Sequence, residues 1–155
     1  MKISEELTMS FPDSFRVMGE EEYDRLRFIA EGAGICLSDQ EKHSVASIGW
    51  KQIGAFAGFL LNLKDLSGNM ERSIREAMAA FQFSQTGAPE RKIGGIPARG
   101  IRFRYRAEDG TEMAGESLVL KRGKAVYYFH FYTREALEEE NLAVWEGALD
   151  TAKWA

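Results

Sequence analysis

Apolar and polar positions alternate most regularly in the second half of the chain. There, residues 93–107, 111–122 and 124–133 read as three consecutive β-strands. Asp109-Gly110, between the first two, is a strong signal for a two-residue hairpin, because a type I′ turn needs positive φ at both central positions. Arg122-Gly123 is a weaker signal of the same kind. Thr133 stands where a helix N-cap would, and residues 134–153 follow with an apolar stripe of Leu137, Val144, Trp145 and Ala148.

The first half is less regular. A short strand is expected over residues 6–11, with Leu7, Met9 and Phe11 on one side, and Pro12-Asp13-Ser14 turns the chain. Residues 20–31 read as a helix with acidic residues in its first turn and a stripe of Tyr23, Leu26 and Ala30. Residues 35–37 are expected to form a brief strand. Residues 43–53 form a longer one, on which Ala46, Ile48 and Trp50 share a face. Phe56, Phe59, Leu60 and Leu63 have helical spacing and read as core. Over residues 69–83, Met70, Ile74, Ala77, Met78 and Phe81 mark one buried helical face.

Two-residue loops at both hairpins would fix the register. Arg106 then faces Met113, Arg104 faces Gly115, Leu118 faces Tyr127 and Ser117 faces Tyr128. One sheet face would carry Ile101, Phe103, Tyr105, Leu118, Leu120, Tyr127, Phe129 and Phe131, a core face. The other would carry Arg102, Arg104 and Arg106 beside Tyr128, His130 and Tyr132. Guanidinium groups beside tyrosines and a histidine suit an anion or an acidic partner. These side chains equally suit amphipathic cover beneath a helix, with stems packed and polar tips in water. A one-residue slip in either loop would exchange the faces of a strand. Glu116 falls on the apolar face between Phe103 and Phe129. It is expected to lie near an edge, to pair with an arginine, or to show that the register is shifted.

Composition narrows the classes. The 155 residues fit one domain, 1–155, with enough chain for a core of its own. The lone Cys36 excludes an internal disulfide, reads as a small buried hydrophobe and fits a reducing, cytoplasmic setting. The N-terminus carries no basic-then-apolar signal, and the apolar stretch 53–63 falls short of the roughly 20 residues of a membrane span. A net charge of −4 argues against general nucleic-acid binding, although residues 91–106 hold six basic residues and no acidic one. His43 and His130 are not at metal-ligand spacing, so no metal or cofactor is expected. Gly94-Gly95 opens no helix and reads as a bend into a long strand rather than a phosphate loop.

Phe11-Pro12-Asp13-Ser14-Phe15, the run Ile93-Gly94-Gly95-Ile96-Pro97-Ala98-Arg99-Gly100 leading into Ile101–Tyr105, the tyrosine-rich strand 126–132 and the closing helix together resemble the PsbP-like group, which includes Mog-type Ran-binding proteins and bacterial members. The resemblance implies an α/β fold with a mostly antiparallel sheet of about six strands between helices. It implies little about function, although members of that group act mainly by binding other proteins. No binding motif of that group maps onto this chain position by position. The expectation is therefore a non-enzymatic protein-binding or accessory module. The alternative is a binder of small anionic ligands, or a minor enzyme, using Arg102, Arg104, Arg106, Tyr128, His130 and Tyr132.

Overall fold

The hairpins of the second half build the centre of the molecule. The computed structural model describes residues 1–19 and 33–155, so the helix expected over 20–31 lies outside the described residues. Strands β2 (Arg16–Val17), β3 (Ala33–Asp39), β4 (Ser44–Gln52), β5 (Ser84–Gly87), β6 (Glu90–Ile93), β7 (Ile96–Arg106), β8 (Glu112–Arg122) and β9 (Ala125–Arg134) form one antiparallel sheet. Its order is β2-β3-β4-β9-β8-β7-β5, with β6 also on β7. Two further strands, β1 (Leu7–Thr8) and β10 (Lys153–Trp154), pair as a small separate sheet. The main sheet exceeds the expected six strands because the short segments β2, β5 and β6 extend its edges. The strand expected over residues 6–11 pairs only at Leu7–Thr8, although Leu7 and Met9 are fully buried.

Helix α1 (Ala55–Leu60) is separated from α2 (Leu63–Ala77) by the Leu61-Asn62 break, and the Asn62 side chain caps α2 by accepting from the Asp65 amide at 2.9 Å. α2 therefore begins six residues before the position expected from periodicity. Its buried stripe is Leu66, Met70 and Ile74, continued by Met78, and Ala77 faces outward. This stripe lies on Ile101, Phe103, Val119, Val126 and Tyr132 of one sheet face. The other face, with Ile48, Leu118, Leu120, Phe129 and Phe131, is covered by α3 (Glu138–Asp150) and by Leu7 and Met9. A 3₁₀ turn at Glu135–Leu137 precedes α3, so Thr133 does not cap it. Instead the Thr133 hydroxyl accepts from Asn141 Nδ2 at 2.8 Å. Asn141 thereby joins Trp145, Ala148 and Leu149 on the buried stripe, while Val144 is exposed.

Both hairpin loops depart from the expected register. Arg106 pairs with Glu112, and within that pair the Ala107 amide donates to the Thr111 carbonyl at 2.9 Å. The loop proper is thus Glu108-Asp109-Gly110, with Gly110 at φ 88°. This is a three-residue turn with a left-handed third position rather than a two-residue one. The result is a one-residue slip that turns β7 over relative to β8. The second loop is Gly123-Lys124, closed by Arg122 and Ala125, a shift of two that leaves the faces of β8 and β9 as expected. Gly94-Gly95 also proves to be a turn, with both φ positive, joining β6 to β7 through the Ile93–Ile96 pair. At Gly100, a Cβ would lie 1.7 Å from the Ser117 carbonyl oxygen, so the close approach of β7 to β8 demands glycine there.

The slip brings Glu116 opposite Arg102 instead of Phe103. Glu116 has no solvent exposure, and its carboxylate accepts from Arg91 Nη2 (2.9 Å), Arg102 Nε (3.0 Å) and Trp145 Nε1 (2.7 Å). Glu146 of α3 receives Arg102 Nη2 at 2.7 Å. Burial disfavours the Arg102 charge, but Glu116 and Glu146 outweigh it and hold its pKa above the usual guanidinium value. The cluster unites β6, β7, β8 and α3 with balanced charge. Removing one partner of such a group leaves the others buried and uncompensated. Glu116→Ala is expected to lower the unfolding free energy in urea by about 3–5 kcal/mol. A loss below about 1 kcal/mol would show that the cluster does not hold the fold together.

Candidate functional site

The six residues singled out on one expected face divide between two. Arg102 and Arg104 lie on the α3 side, and each is paired with carboxylates of the chain. Arg102 meets Glu116 and Glu146, and Arg104 meets Glu135 (3.4 Å) and Glu138 (3.2 Å). Arg106, at the end of β7, pairs with Glu112 at 2.5 Å. Tyr128, His130 and Tyr132 lie on the α2 side, opposite Gly49, Ser47 and Val45 of β4. The predicted cationic and aromatic face therefore does not exist as one surface. The slip at Asp109-Gly110 separates its two halves.

The tyrosine and histidine half borders a cavity of about 370 Å³ between α2, β4 and β9. Its sheet wall is polar, formed by Ser47, Tyr128, His130 and Tyr132, and its helix wall is mostly apolar, with Leu66, Met70, Ile74 and Met78 beside Asn69 and Ser73. Successive inward positions of β9 set the Tyr128, His130 and Tyr132 rings nearly parallel, 6.4 Å apart at each step (interplanar 4° and 18°). His130 Nδ1 shares a 2.7 Å hydrogen bond with the buried Ser117 hydroxyl. Burial lowers the His130 pKa to about 4, so the ring is neutral at neutral pH. Burial, reinforced by Tyr105, pushes the Tyr132 hydroxyl well above its usual value. Cys36, beneath the same face, is buried and free, and burial raises its thiol pKa, in keeping with a packing role.

Sequence reasoning missed a second feature. Phe56, Phe59 and Leu60 of α1, read as core, are 77%, 87% and 58% exposed. α1 is seated by Lys121 Nζ, which donates to the Gly58 and Leu61 carbonyls, and by Gly58 packing near Ile53 and the Gly123 carbonyl. A helix of six residues can bury only one strip, yet residues 55–61 are apolar all round apart from Gly58. That excess was the available signal. Lys51 and Lys124 are exposed near this helix, with Lys51 over the Tyr128 ring at 5.6 Å and the Lys124 carbonyl accepting from the Ile53 amide at 2.7 Å.

The buried imidazole ties stability to pH. Below about pH 6.5 the unfolded chain takes up a proton on His130, whereas the folded chain does not until about pH 4. Its contribution is therefore complete above pH 6.5 and is lost as pH falls toward 4, by about 3 kcal/mol in all. Among the described residues no carboxylate lines the cavity to offset this. Chemical denaturation of the wild type and of His130→Gln across pH 4–7 should give stability curves that diverge in this sense. Parallel curves would place the His130 pKa near its ordinary value.

No family model matches the sequence, and no curated protein sequence matches it. Solved structures match it in shape. Cyanobacterial PsbP (CyanoP) from Synechocystis sp. PCC 6803 superposes over 97% of this chain and 93% of its own, with a TM-score of 0.67 and 13% identity. LpqN of Mycobacterium tuberculosis, described as involved in cell envelope biogenesis, covers 96% of this chain and 83% of its own, with a TM-score of 0.59 and 12% identity. A Bacteroides thetaiotaomicron VPI-5482 protein covers 96% of this chain, which spans 45% of that larger protein, with a TM-score of 0.62 and 13% identity. At these identities the likeness concerns the fold. The chain has the PsbP-like α/β fold, a large antiparallel sheet flanked by helices.

Proposed function

We propose that the chain is a non-catalytic accessory module that binds a protein partner through the outer surface of α1. The observation that carries this reading is the exposure of Phe56, Phe59 and Leu60 together on a helix anchored from below. Large exposed apolar side chains that adjoin one another mark interaction surfaces, whereas scattered ones need no explanation. The charge around them suggests the partner's character. Residues 42–64 and 117–134 contain no aspartate or glutamate in a chain of net charge −4. Lys51 and Lys124 stand exposed, with no ion-pair partner among the described residues. A partner segment with apolar residues flanked by carboxylates complements this surface, with the rim charges setting association rate and specificity more than affinity. The arginines of β7 are engaged within the molecule and are less available to a partner.

Two further observations support the reading. The immunity protein TplEi of Pseudomonas aeruginosa, similar over 77% of this chain with a TM-score of 0.51, has been solved with an "L" peptide. Among the described residues no helix is long and apolar enough to cross a membrane. The buried thiol of Cys36 fits a reducing compartment, and we place the module in the cytoplasm.

A Phe56→Ser/Phe59→Ser variant should melt within a few degrees of the wild type, since exposed positions contribute little to stability. Affinity capture from native lysate should recover a stoichiometric partner with the wild type and at least tenfold less with the variant. Arg104→Ala should leave capture unchanged. Recovery of the wild-type chain alone at both low and moderate salt would overturn the proposal.

A further inference from the structure

The cavity beneath α2 adjoins the α1 surface at Lys51 and Leu61 and calls for its own occupant. Its volume of about 370 Å³ falls within the ~300–1,000 Å³ typical of small-molecule sites. Its walls are unlike each other. Leu66, Met70, Ile74 and Met78 offer only apolar contact, and the two thioethers adapt readily to an aromatic guest. The opposite wall presents His130, which is only 5% exposed. Nδ1 of that ring is committed to Ser117, and no described group bonds the other nitrogen, Nε2. Among the described residues the Tyr128 hydroxyl also has no hydrogen-bond partner. Neither atom is sealed from solvent, so a ligand group in the cavity can replace water as its partner.

The charge of the occupant follows from the same groups. Among the described residues no carboxylate and no arginine lines the cavity, and the one lysine there, Lys51, is exposed to solvent. A charged ligand would surrender its hydration to a helix wall on which only Asn69 and Ser73 are polar, and to a buried neutral imidazole. A hydroxyl can donate or accept, and so satisfies Nε2 in either tautomer of the ring.

We propose that this cavity binds a small, uncharged, largely apolar molecule carrying a hydroxyl group, with the hydroxyl on His130 Nε2 and the apolar body against Met70, Ile74 and Met78 of α2. Binding there does not require a partner at α1.

Three matched probes test the assignment by titration into the full-length chain, followed by ¹H–¹³C spectra of the methionine methyls and by calorimetry. They are 4-butylphenol, butylbenzene and 4-butylbenzoate. 4-Butylphenol should bind saturably and shift the Met70 and Met78 methyls. It should bind about fivefold or more tighter than butylbenzene, the worth of one buried hydrogen bond, and also tighter than the benzoate. His130→Phe should remove the preference for the phenol over butylbenzene. Should that variant fail to fold, Ser73→Trp, at an exposed position of α2 on the cavity rim, serves instead and should abolish binding of 4-butylphenol without lowering Tm. Absence of saturable binding by 4-butylphenol would overturn the proposal. So would tightest binding by the benzoate, methyl shifts confined to methionines other than Met70 and Met78, or undiminished binding in Ser73→Trp.

Discussion

Glu116 is the constraint on which the rest of the structure turns. It sits in an inner strand of a wide sheet with no exposure to water, where an unpaired carboxylate would cost several kcal/mol. The register that places Arg102 opposite it supplies a partner from the neighbouring strand, which the expected pairing with Phe103 would not. Arg91 must then be brought in by β6, and Trp145 and Glu146 by α3. Strand register, edge pairing and helix docking are thus coupled through one carboxylate. Phe131, the β9 neighbour of Glu116, completes the arrangement by stacking on Trp145, with ring centroids 5.1 Å apart.

That coupling determines what each face of the sheet can do. Turning the β7 arginines toward α3 commits their charge to internal pairs, so the α3 side is closed by its own ion pairs. The same turn delivers Ile101 and Phe103 to the underside of α2, where they join Val119 and Val126 as apolar support. Phe103 also covers Gly115, which has no side chain to obstruct the ring. What remains on the α2 side is the polar row of β9, which α2 does not cover fully, and a short aromatic helix at the end of the sheet. Both places suited to binding therefore lie away from the Glu116 cluster, although the cavity shares Leu66, Met70, Ile74, Met78 and Tyr132 with the core under α2.

Much of the fold was legible because its signals are local. The strands of the second half, the helix containing Met70 and Ile74, and the closing helix with Trp145 each follow from periodicity alone. The candidate site was legible only in part. Tyr128, His130 and Tyr132 do share a face, because alternation within a single strand fixes that. Their association with Arg102 and Arg104 depended on counting across a loop, where Asp109-Gly110 is compatible with turns of two or three residues. The sequence contains no local preference strong enough to separate those, and a single residue reverses a strand. The exposed aromatics of α1 were misread for a related reason. Composition shows that a segment is apolar, and only its neighbours show whether anything covers it.

The sequence by itself determined which segments become strands and helices and which side chains alternate along each. Those properties arise from backbone geometry and spacing within a few residues. Only the tertiary structure decided which faces meet, because that choice rests on satisfying Glu116 with groups from β6, β7 and α3, 14 to 29 residues away along the chain. A buried charge must find its partners in space. In this protein the register that meets that requirement is closed by a three-residue loop containing Asp109-Gly110.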